Sequence, residues 1–226
     1  MKFAVASVDS LMLYFGDEIA EDVAKEVRKA FFTLKSAKLE CITEIIPSYT
    51  SIMVSFDFMR NSYEDMVKLI KETLENSATD MREIPSRFMS VPVYYGEEVG
   101  LDLVSLAQTH GLSTDEVIKI HSDKEYFVYA IGFFPGFPYM GEVDEKIATP
   151  RLANPRAKVP KGSVGIADKQ TAVYPKQSPG GWQIIGRTPI EMFDTSYDGL
   201  SYLRVGDKVK FEPISKEEFV KLGGEL

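Results

Sequence analysis

The sequence predicts an α+β protein with two parts, an α/β sandwich over residues 1–90 and a β-barrel over residues 91–226. In the first part, short apolar runs alternate with two amphipathic helical patterns, as expected when helices pack on a sheet. After residue 133 helical periodicity nearly disappears. Eight of the 16 glycines and eight of the 12 prolines fall between residues 132 and 189. Short strands separated by many turn residues are typical of a barrel.

The first part contains six elements with regular hydrophobic patterns. Strands are predicted at residues 3–8, 10–15, 41–46 and 50–57, and amphipathic helices at residues 19–34 and 63–75. Ser62 can cap the second helix, with Asp65 in its first turn. A further strand near residues 81–94 would complete a β-α-β-β-α-β order, which predicts a ferredoxin-like sandwich.

Two short helices are predicted at residues 100–121, where the second part begins. Asp102 is expected to cap the first helix and Gly111 to end it, while Ser113 or Thr114 begins the second. Residues 125–133 predict a strand, and further short β-type runs follow in the segment rich in glycine and proline.

The composition excludes several classes of protein. The single cysteine, Cys41, cannot form a disulfide framework or a multi-cysteine zinc site, and two histidines are too few for a His-rich metal centre. No apolar run reaches the roughly 18 residues of a membrane span. A net charge of −8 argues against binding to nucleic acid or to an anionic membrane. Because Asp9 comes too early for a secretory signal, we expect a cytoplasmic protein, and no metal site.

The charge is distributed unevenly along the chain. Between Lys146 and Pro189, eight basic residues and one acid, Asp168, leave a local charge of +7. Glycine and proline are concentrated in the same stretch. We therefore expect an anion-binding site there, although the chain as a whole is acidic.

The segment Gly132–Gly141 has the sequence GFFPGFPYMG. Its glycines and prolines impose an irregular backbone, and aromatic side chains, including Tyr139, stand between them. Such a segment can present backbone N–H groups and an aromatic wall to a small ligand. The alternative is a rigid barrel corner packed by its own rings.

Two Pro-Arg pairs, Pro150-Arg151 and Pro155-Arg156, follow five residues apart. A proline before each arginine holds the guanidinium on a stiff loop, and two such groups could bind a carboxylate or phosphate through bidentate hydrogen bonds. The alternative is a solvated basic loop.

Further candidates lie between residues 121 and 187. Gln170 and Gln183 suit an amide substrate, because glutamine both donates and accepts hydrogen bonds, and Arg187 adds a cation. Ser163 lies in GSVGI, which does not match a nucleophile elbow. His121 is a candidate catalytic residue, and the alternative is a role at its helix C-terminus. No Walker-type P-loop occurs in the chain.

Several ordered strings together carry a resemblance to a known family. They are residues 131–139 (IGFFPGFPY), the two Pro-Arg pairs, residues 162–166 (GSVGI), residues 178–189 (SPGGWQIIGRTP), residues 203–211 (LRVGDKVKF) and Pro47-Ser48-Tyr49. In these strings the chain resembles the KipI/allophanate hydrolase subunit 1 family over essentially its whole length. The family commonly has Gly-Pro-Asp where this chain has Gly100-Leu101-Asp102, a change that the start of a helix tolerates.

This resemblance implies a fold and an activity. The fold is a ferredoxin-like domain over residues 1–90 followed by a cyclophilin-like β-barrel over residues 91–226, similar to the first carboxyltransferase C/D subdomain. The enzymatic members are the B subunits of bacterial 5-oxoprolinase, so the resemblance implies a hydrolase complex that opens 5-oxoproline to L-glutamate. The implied partners are the C subunit of 5-oxoprolinase, which is similar to allophanate hydrolase subunit 2, and its A subunit.

The implied complex uses ATP, whose site on this chain is unknown, and biotin is not expected. The chain by itself is expected to be inactive. The candidate substrate-binding residues are Tyr139, Arg151, Arg156, Ser163, Gln170, Gln183 and Arg187.

Two other functions stay open. The family's namesake inhibits a histidine kinase, so this chain could be a regulatory binding module. A urea-carboxylase or allophanate-hydrolase type component is the third candidate, and its biotin would have to be delivered by another chain.

Overall fold

Two helices pack on a four-stranded antiparallel sheet in the first of two units into which the chain divides. A computed structural model describes residues 1–77, 87–196 and 199–226, and the units are Met1–Ser86 and Arg87–Leu226. No helix in these described ranges is both long enough and apolar enough to cross a membrane.

The sheet of the first unit has the strand order β1-β2-β4-β3. Its elements are β1 (Lys2–Ser7), β2 (Ser10–Tyr14), α1 (Glu21–Ala37), β3 (Ile42–Pro47), β4 (Ser51–Phe56) and α2 (Tyr63–Glu75). Alternation along the central strands directs Leu11, Leu13, Ile52 and Val54 into a core against Val27 of α1 and Met66 of α2.

The predicted ferredoxin-like order is not confirmed. Residues 87–94 of the expected closing strand do contain a strand, β5 (Phe88–Val93), while residues 81–86 lie outside the described part of the chain. However, β5 pairs in parallel with β13 (Lys208–Pro213) of the second unit. The described elements of the first unit therefore run β-β-α-β-β-α, and β1 occupies a sheet edge beside β2. An apolar alternation predicts a strand but does not specify its partner, which is why the sequence misassigned this one.

The second unit contains the remaining elements. They are β5, α3 (Leu103–Thr109), α4 (Thr114–Asp123), β6 (Glu125–Ile131), β7 (Pro138–Gly141), β8 (Arg156–Val159), β9 (Ser163–Ala167), β10 (Gln170–Val173), β11 (Ser178–Gly180), β12 (Gln183–Arg187), β13 and α5 (Lys216–Lys221). The predicted α+β class is confirmed.

Seven strands of this unit form a sheet in the order β12-β9-β10-β7-β6-β13-β5. The sheet curls until its two edges meet, because Tyr94, which follows β5, forms an antiparallel bridge with Arg187 of β12. The Tyr94 N–H donates to the Arg187 carbonyl at 2.9 Å, and the Arg187 N–H donates back at 2.8 Å. One face of the sheet encloses the main core, which includes Val91, Val164 and Phe211.

Most of the helix boundaries predicted from capping residues are confirmed, and one is not. Ser62 caps α2 and Ser113 caps α4, each in a capping box with the acid three residues later. Gly111, at φ +66°, follows the end of α3 as predicted. The capping role predicted for Asp102 is wrong: it occupies the N-cap position of α3, but its side chain makes no bond to that helix. Other partners take its carboxylate instead.

Candidate functional site

A second apolar cluster of the second unit combines three buried aromatic rings, Phe137, Tyr174 and Trp182, with Tyr139 packed against them. We call these four residues the aromatic cluster. The Phe137 ring centroid lies 5.2 Å from that of Tyr174 and 5.8 Å from that of Trp182, while Tyr139 lies 6.1 Å from Trp182. The rings meet edge-on or tilted, which are favourable aromatic geometries.

Glycines allow the backbone to approach these rings. Gly136 has φ +81°, and a Cβ there would lie 2.7 Å from the Met192 carbonyl oxygen. A Cβ on Gly180 would collide with the Tyr174 hydroxyl. Gly136 therefore needs glycine for both packing and conformation, whereas Gly180 needs it for packing.

Both tyrosines of the cluster are held in the neutral form. Burial raises the pKa of Tyr174 to about 12, against smaller opposing effects from the Trp182 backbone and the charges of Arg151 and Arg156. Burial likewise raises the pKa of Tyr139, opposed by Arg151. The two phenols are thus hydrogen-bonding groups rather than bases at neutral pH.

Arg151 supplies an available positive charge at this cluster. Its guanidinium carbon lies 5.7 Å from the Trp182 ring centroid, in cation–π geometry. The side chain is exposed, and among the described residues no carboxylate forms a salt bridge with it. A second cation, Lys176, lies over the Phe134 ring at 3.9 Å. The exposed Phe133, at φ +66°, is next to that ring.

Arg156 is placed near the cluster but already has a partner. Its Nη1 and Nη2 atoms donate to the two carboxylate oxygens of Asp102 at 2.8 and 2.6 Å. The Asp102 carboxylate also accepts the Ile184 N–H at 2.7 Å. The charge of Arg156 is therefore neutralised in place, although it still influences Tyr174.

Arg187 is also engaged, at the seam where the curled sheet closes. Its Nε donates to the Lys161 carbonyl at 2.7 Å and its Nη1 to the Glu225 carbonyl at 2.6 Å. Burial lowers the pKa of Arg187, opposed by the Glu225 carboxylate. Gln183 is engaged as well, because its Nε2 donates to the Pro150 carbonyl at 2.9 Å.

Among the described residues, three buried polar atoms near this side of the sheet have no hydrogen-bond partner. They are Ser163 Oγ, Gln170 Nε2 and Ser178 Oγ. Gln170 alternates with Ala172 and Tyr174 along β10 and its continuation, so it shares their face of the sheet. Ser163 pairs with Tyr174 across the strands, since the Tyr174 N–H donates to its carbonyl at 2.9 Å. Unpaired buried polar atoms are costly, so these are groups that a bound molecule could satisfy.

His121 lies elsewhere, in the main core of the second unit. Its ring stacks on Phe211 at 4.6 Å between centroids, and burial lowers its pKa to about 3. The Thr171 hydroxyl donates to the Gly165 carbonyl, so it accepts from His121 Nε2 at 3.0 Å, and His121 Nδ1 accepts from the Tyr95 hydroxyl at 2.9 Å. Both ring nitrogens of this neutral imidazole are used, which favours a structural role over catalysis.

The geometry therefore brings together Tyr139 and Arg151, places Ser163 and Gln170 on the same side, and commits Arg156, Gln183 and Arg187 to internal contacts. Across the described ranges, no three His, Cys, Asp or Glu side chains are grouped so that they could hold a metal ion. Sequence reasoning missed the ion-pair role of Asp102 because the same residue type is also a common helix cap. It also missed Tyr174 and Ser178, which only the packing of β10 and β11 singles out.

Comparisons with known proteins agree on one family. The model of the carboxyltransferase domain, subdomain C and D, matches residues 1–203. The B subunit of 5-oxoprolinase from Bacillus subtilis (strain 168) is 40% identical, over 93% of this chain and 91% of that protein.

Two crystal structures are also similar. PH0987, a conserved uncharacterized protein from Pyrococcus horikoshii, is 42% identical with a TM-score of 0.58, over 96% of this chain and all of that one. TTHA0988 is 30% identical with a TM-score of 0.81 over 91% of this chain, which spans only 40% of the longer TTHA0988 chain. The chain belongs to the carboxyltransferase C and D subdomain family and, within it, to the family of KipI and the 5-oxoprolinase B subunits.

Proposed function

We propose that this chain is the B subunit of an ATP-dependent 5-oxoprolinase complex and that its aromatic cluster, with Arg151, binds the substrate. The observation that carries the proposal is the Arg151 guanidinium, which lies on the Trp182 ring without an ion-pair partner in the described part of the chain. 5-Oxoproline is a five-membered lactam with one carboxylate. Its binding requires a cation for the carboxylate and an apolar surface for the ring; in this proposal Arg151 supplies the cation and the half-buried Tyr139 supplies the surface.

The lactam group needs polar partners of its own. Its carbonyl oxygen accepts and its N–H donates, and the buried Gln170 Nε2 and Ser163 Oγ are unpaired groups of matching type. Opening the ring adds one water across the C–N bond and produces a second carboxylate and an ammonium group. In this proposal the chain orients the substrate by its carboxylate and lactam, and Arg156 and Arg187 support the surrounding backbone.

The proposal includes partners and a nucleotide at the level of the complex. ATP would supply activation of the unreactive lactam carbonyl. The glycine-rich segment of this chain leads into strand β7 rather than a helix, so it does not form a P-loop, and we assign no ATP contact to this chain. The A and C subunits of 5-oxoprolinase are the proposed partners, because the relatives at 40–43% identity are named as the B subunit of that enzyme. The curled sheet is proposed to be a cyclophilin-like barrel, and the protein to be cytoplasmic.

Reconstitution tests the proposal. The chain is co-purified with candidate A and C subunits, and glutamate release is measured with and without ATP. Arg151→Ala should raise the KM for 5-oxoproline on the order of 30-fold, because it removes a charged partner of the carboxylate. The KM of Arg151→Lys should lie between those of the wild-type chain and Arg151→Ala, since lysine keeps the charge but not the bidentate geometry. Lys158→Ala, an exposed cation of the same basic stretch, is the matched control. No glutamate release from the complete complex, or an unchanged KM in Arg151→Ala, would contradict the proposal.

One observation favours a second function, inhibition of a histidine kinase. Phe133 is 61% exposed and is held at φ +66°, so an aromatic side chain is presented to solvent at the edge of the segment 132–141. Binding of a purified histidine kinase from the same organism at micromolar concentration, abolished by Phe133→Ala, would support this role. If Phe133→Ala binds the kinase as tightly as the wild-type chain does, the exposed Phe133 does not support this second function.

A further inference from the structure

The Asp102 carboxylate connects three segments that are distant in sequence. It lies at the start of α3, forms a bidentate ion pair with Arg156 of β8, and accepts the Ile184 N–H of β12 at 2.7 Å. The main chain makes the reciprocal bond, because the Asp102 N–H donates to the Ile184 carbonyl at 2.8 Å. Asp102 is buried, and Arg156 is more than two-thirds buried.

Two of these segments carry the opposite sides of the candidate site. Arg151 belongs to the segment that ends at Arg156, and Trp182 to the segment that ends at Ile184. The same segments are joined twice more, by Gln183 Nε2 to the Pro150 carbonyl at 2.9 Å and by the Leu152 N–H to the Gly181 carbonyl at 2.7 Å.

These bonds flank Arg151 on both sides. Pro150 and Leu152 each form a hydrogen bond with the segment that carries Trp182. Asp102 connects the same two segments a third time, because it binds both Arg156 and Ile184. A small displacement of either segment would change how the guanidinium lies over the indole ring. Because the productive position of a binding group is set within a fraction of an ångström, such a displacement lowers affinity without removing any contact to the ligand.

The chemistry of the position requires a carboxylate. Two oxygens must accept three hydrogen bonds, two of them from a guanidinium, and no neutral side chain of this size can do so. An asparagine would keep an acceptor for the Ile184 N–H but would place an NH₂ group opposite the Arg156 guanidinium.

We propose that Asp102 is a positioning residue, which holds Arg151 over Trp182 by clamping the segments 150–156 and 181–184 together. Its consequence for 5-oxoproline rests on the proposed function, whereas the arrangement of Arg151 and Trp182 can be tested on the free chain. Trp182 is the only tryptophan, so fluorescence excited at wavelengths that the 11 tyrosines do not absorb reports on this site alone.

The test compares Asp102→Asn, Arg151→Ala and the double variant. In the free chain, Asp102→Asn should shift the Trp182 emission in the same direction as Arg151→Ala, and the double variant should show no further shift. In the reconstituted complex, Asp102→Asn should raise the KM for 5-oxoproline about tenfold while kcat stays within roughly twofold. Asp102→Glu, which keeps the carboxylate, should have a KM between those of Asp102→Asn and the wild-type chain.

Glu98→Gln is the matched control. It removes an exposed ion pair with Lys216 in the same unit and should leave the emission and the KM unchanged. All variants are measured at a temperature at which far-UV circular dichroism shows them folded, so a general loss of stability does not imitate the effect.

The outcomes separate the two proposals. A folded Asp102→Asn variant with wild-type emission and KM would overturn the positioning role. Emission shifts of Asp102→Asn and Arg151→Ala that simply add would overturn it as well, because Asp102 would then act independently of Arg151. If the wild-type complex does not open 5-oxoproline, the proposed function fails, and the emission comparison still decides the role of Asp102.

Discussion

The two units differ in what their interiors contain. Among the described residues, the core of the first unit is aliphatic and aromatic, with four buried polar residues, Ser10, Arg28, Thr33 and Ser51. The second unit has nine: Asp102, His121, Ser122, Thr149, Ser163, Thr171, Ser178, Thr188 and Asp207.

The polar groups of the second unit connect distant parts of the chain. Arg156 bonds Asp102 across 54 positions, Arg87 bonds Asp207 across 120, and Thr171 bonds His121 across 50. The first unit also has such bonds, from Ser10 to Ser55 and from Thr33 to Ser77, but they join neutral hydroxyl groups. The second unit instead buries two carboxylates, Asp102 and Asp207, each paired with an arginine. The candidate site lies in the unit whose interior is specified in this way.

The largest effect is expected at Asp207. Its carboxylate accepts from Arg87 Nε at 3.0 Å and from the Arg204 N–H at 2.8 Å. Asp207→Ala leaves the Arg87 guanidinium without this partner and should lower the free energy of unfolding by about 3 kcal/mol. Urea unfolding followed by Trp182 fluorescence measures it, because the only tryptophan is in the second unit. A loss below about 1 kcal/mol would show that buried ion pairs do not distinguish this unit.

The next effect is a pH dependence that arises at His121. Burial lowers its pKa from 6.5 to about 3, so between these values the unfolded chain binds a proton there and the folded chain does not. Stability is therefore fully present above pH 6.5 and falls below it by up to about 1.4 kcal/mol per pH unit, or ~2 kcal/mol at pH 5. Urea unfolding at pH 7, 6 and 5 should show a flatter dependence in His121→Gln. Equal slopes in His121→Gln and the wild-type protein would refute the assignment.

Loss of a helix cap should lower the free energy of unfolding by a similar amount in the two units. Ser62→Ala in α2 and Ser113→Ala in α4 each remove a capping box, and each should cost about 1 kcal/mol. Far-UV circular dichroism during urea unfolding measures both. Because capping is local, costs that differ by more than about 1 kcal/mol would mean that the surrounding tertiary structure outweighs the local contact.

The smallest effect is expected at an exposed ion pair of the second unit. Lys169 and Glu145 form a 2.8 Å pair with side chains 57% and 82% exposed. Lys169→Gln should leave the free energy of unfolding essentially unchanged in urea titrations, since solvent screens such pairs. A cost comparable to that of Asp207→Ala would remove the distinction between buried and exposed pairs on which the comparison of the units depends.

Much of the local structure was predictable from the chain. The predicted helix at residues 63–75 has the observed bounds, and the capping residue Ser62 was correct, because periodicity and caps depend on neighbours within one or two turns. The basic, glycine-rich stretch also predicts an anion-binding site, which stays a prediction.

Other features depended on distant residues. A strand is predicted near residues 81–94 and β5 lies within that range, yet only the fold pairs it with β13 rather than with the first sheet. Of three arginines that looked equivalent in sequence, only the structure distinguishes Arg151, exposed on Trp182, from Arg156 and Arg187, which are engaged internally.

The sequence by itself therefore determined the α+β class, the helix at residues 63–75 with its cap Ser62, the uneven charge and the family motifs, because each of these is carried by residues close together in the chain. Only the tertiary structure decided the partner of β5, the burial of His121 and the partner of Asp102. Those outcomes depend on which groups meet across tens of residues, where the cost of an unpaired buried charge or polar atom selects the contact.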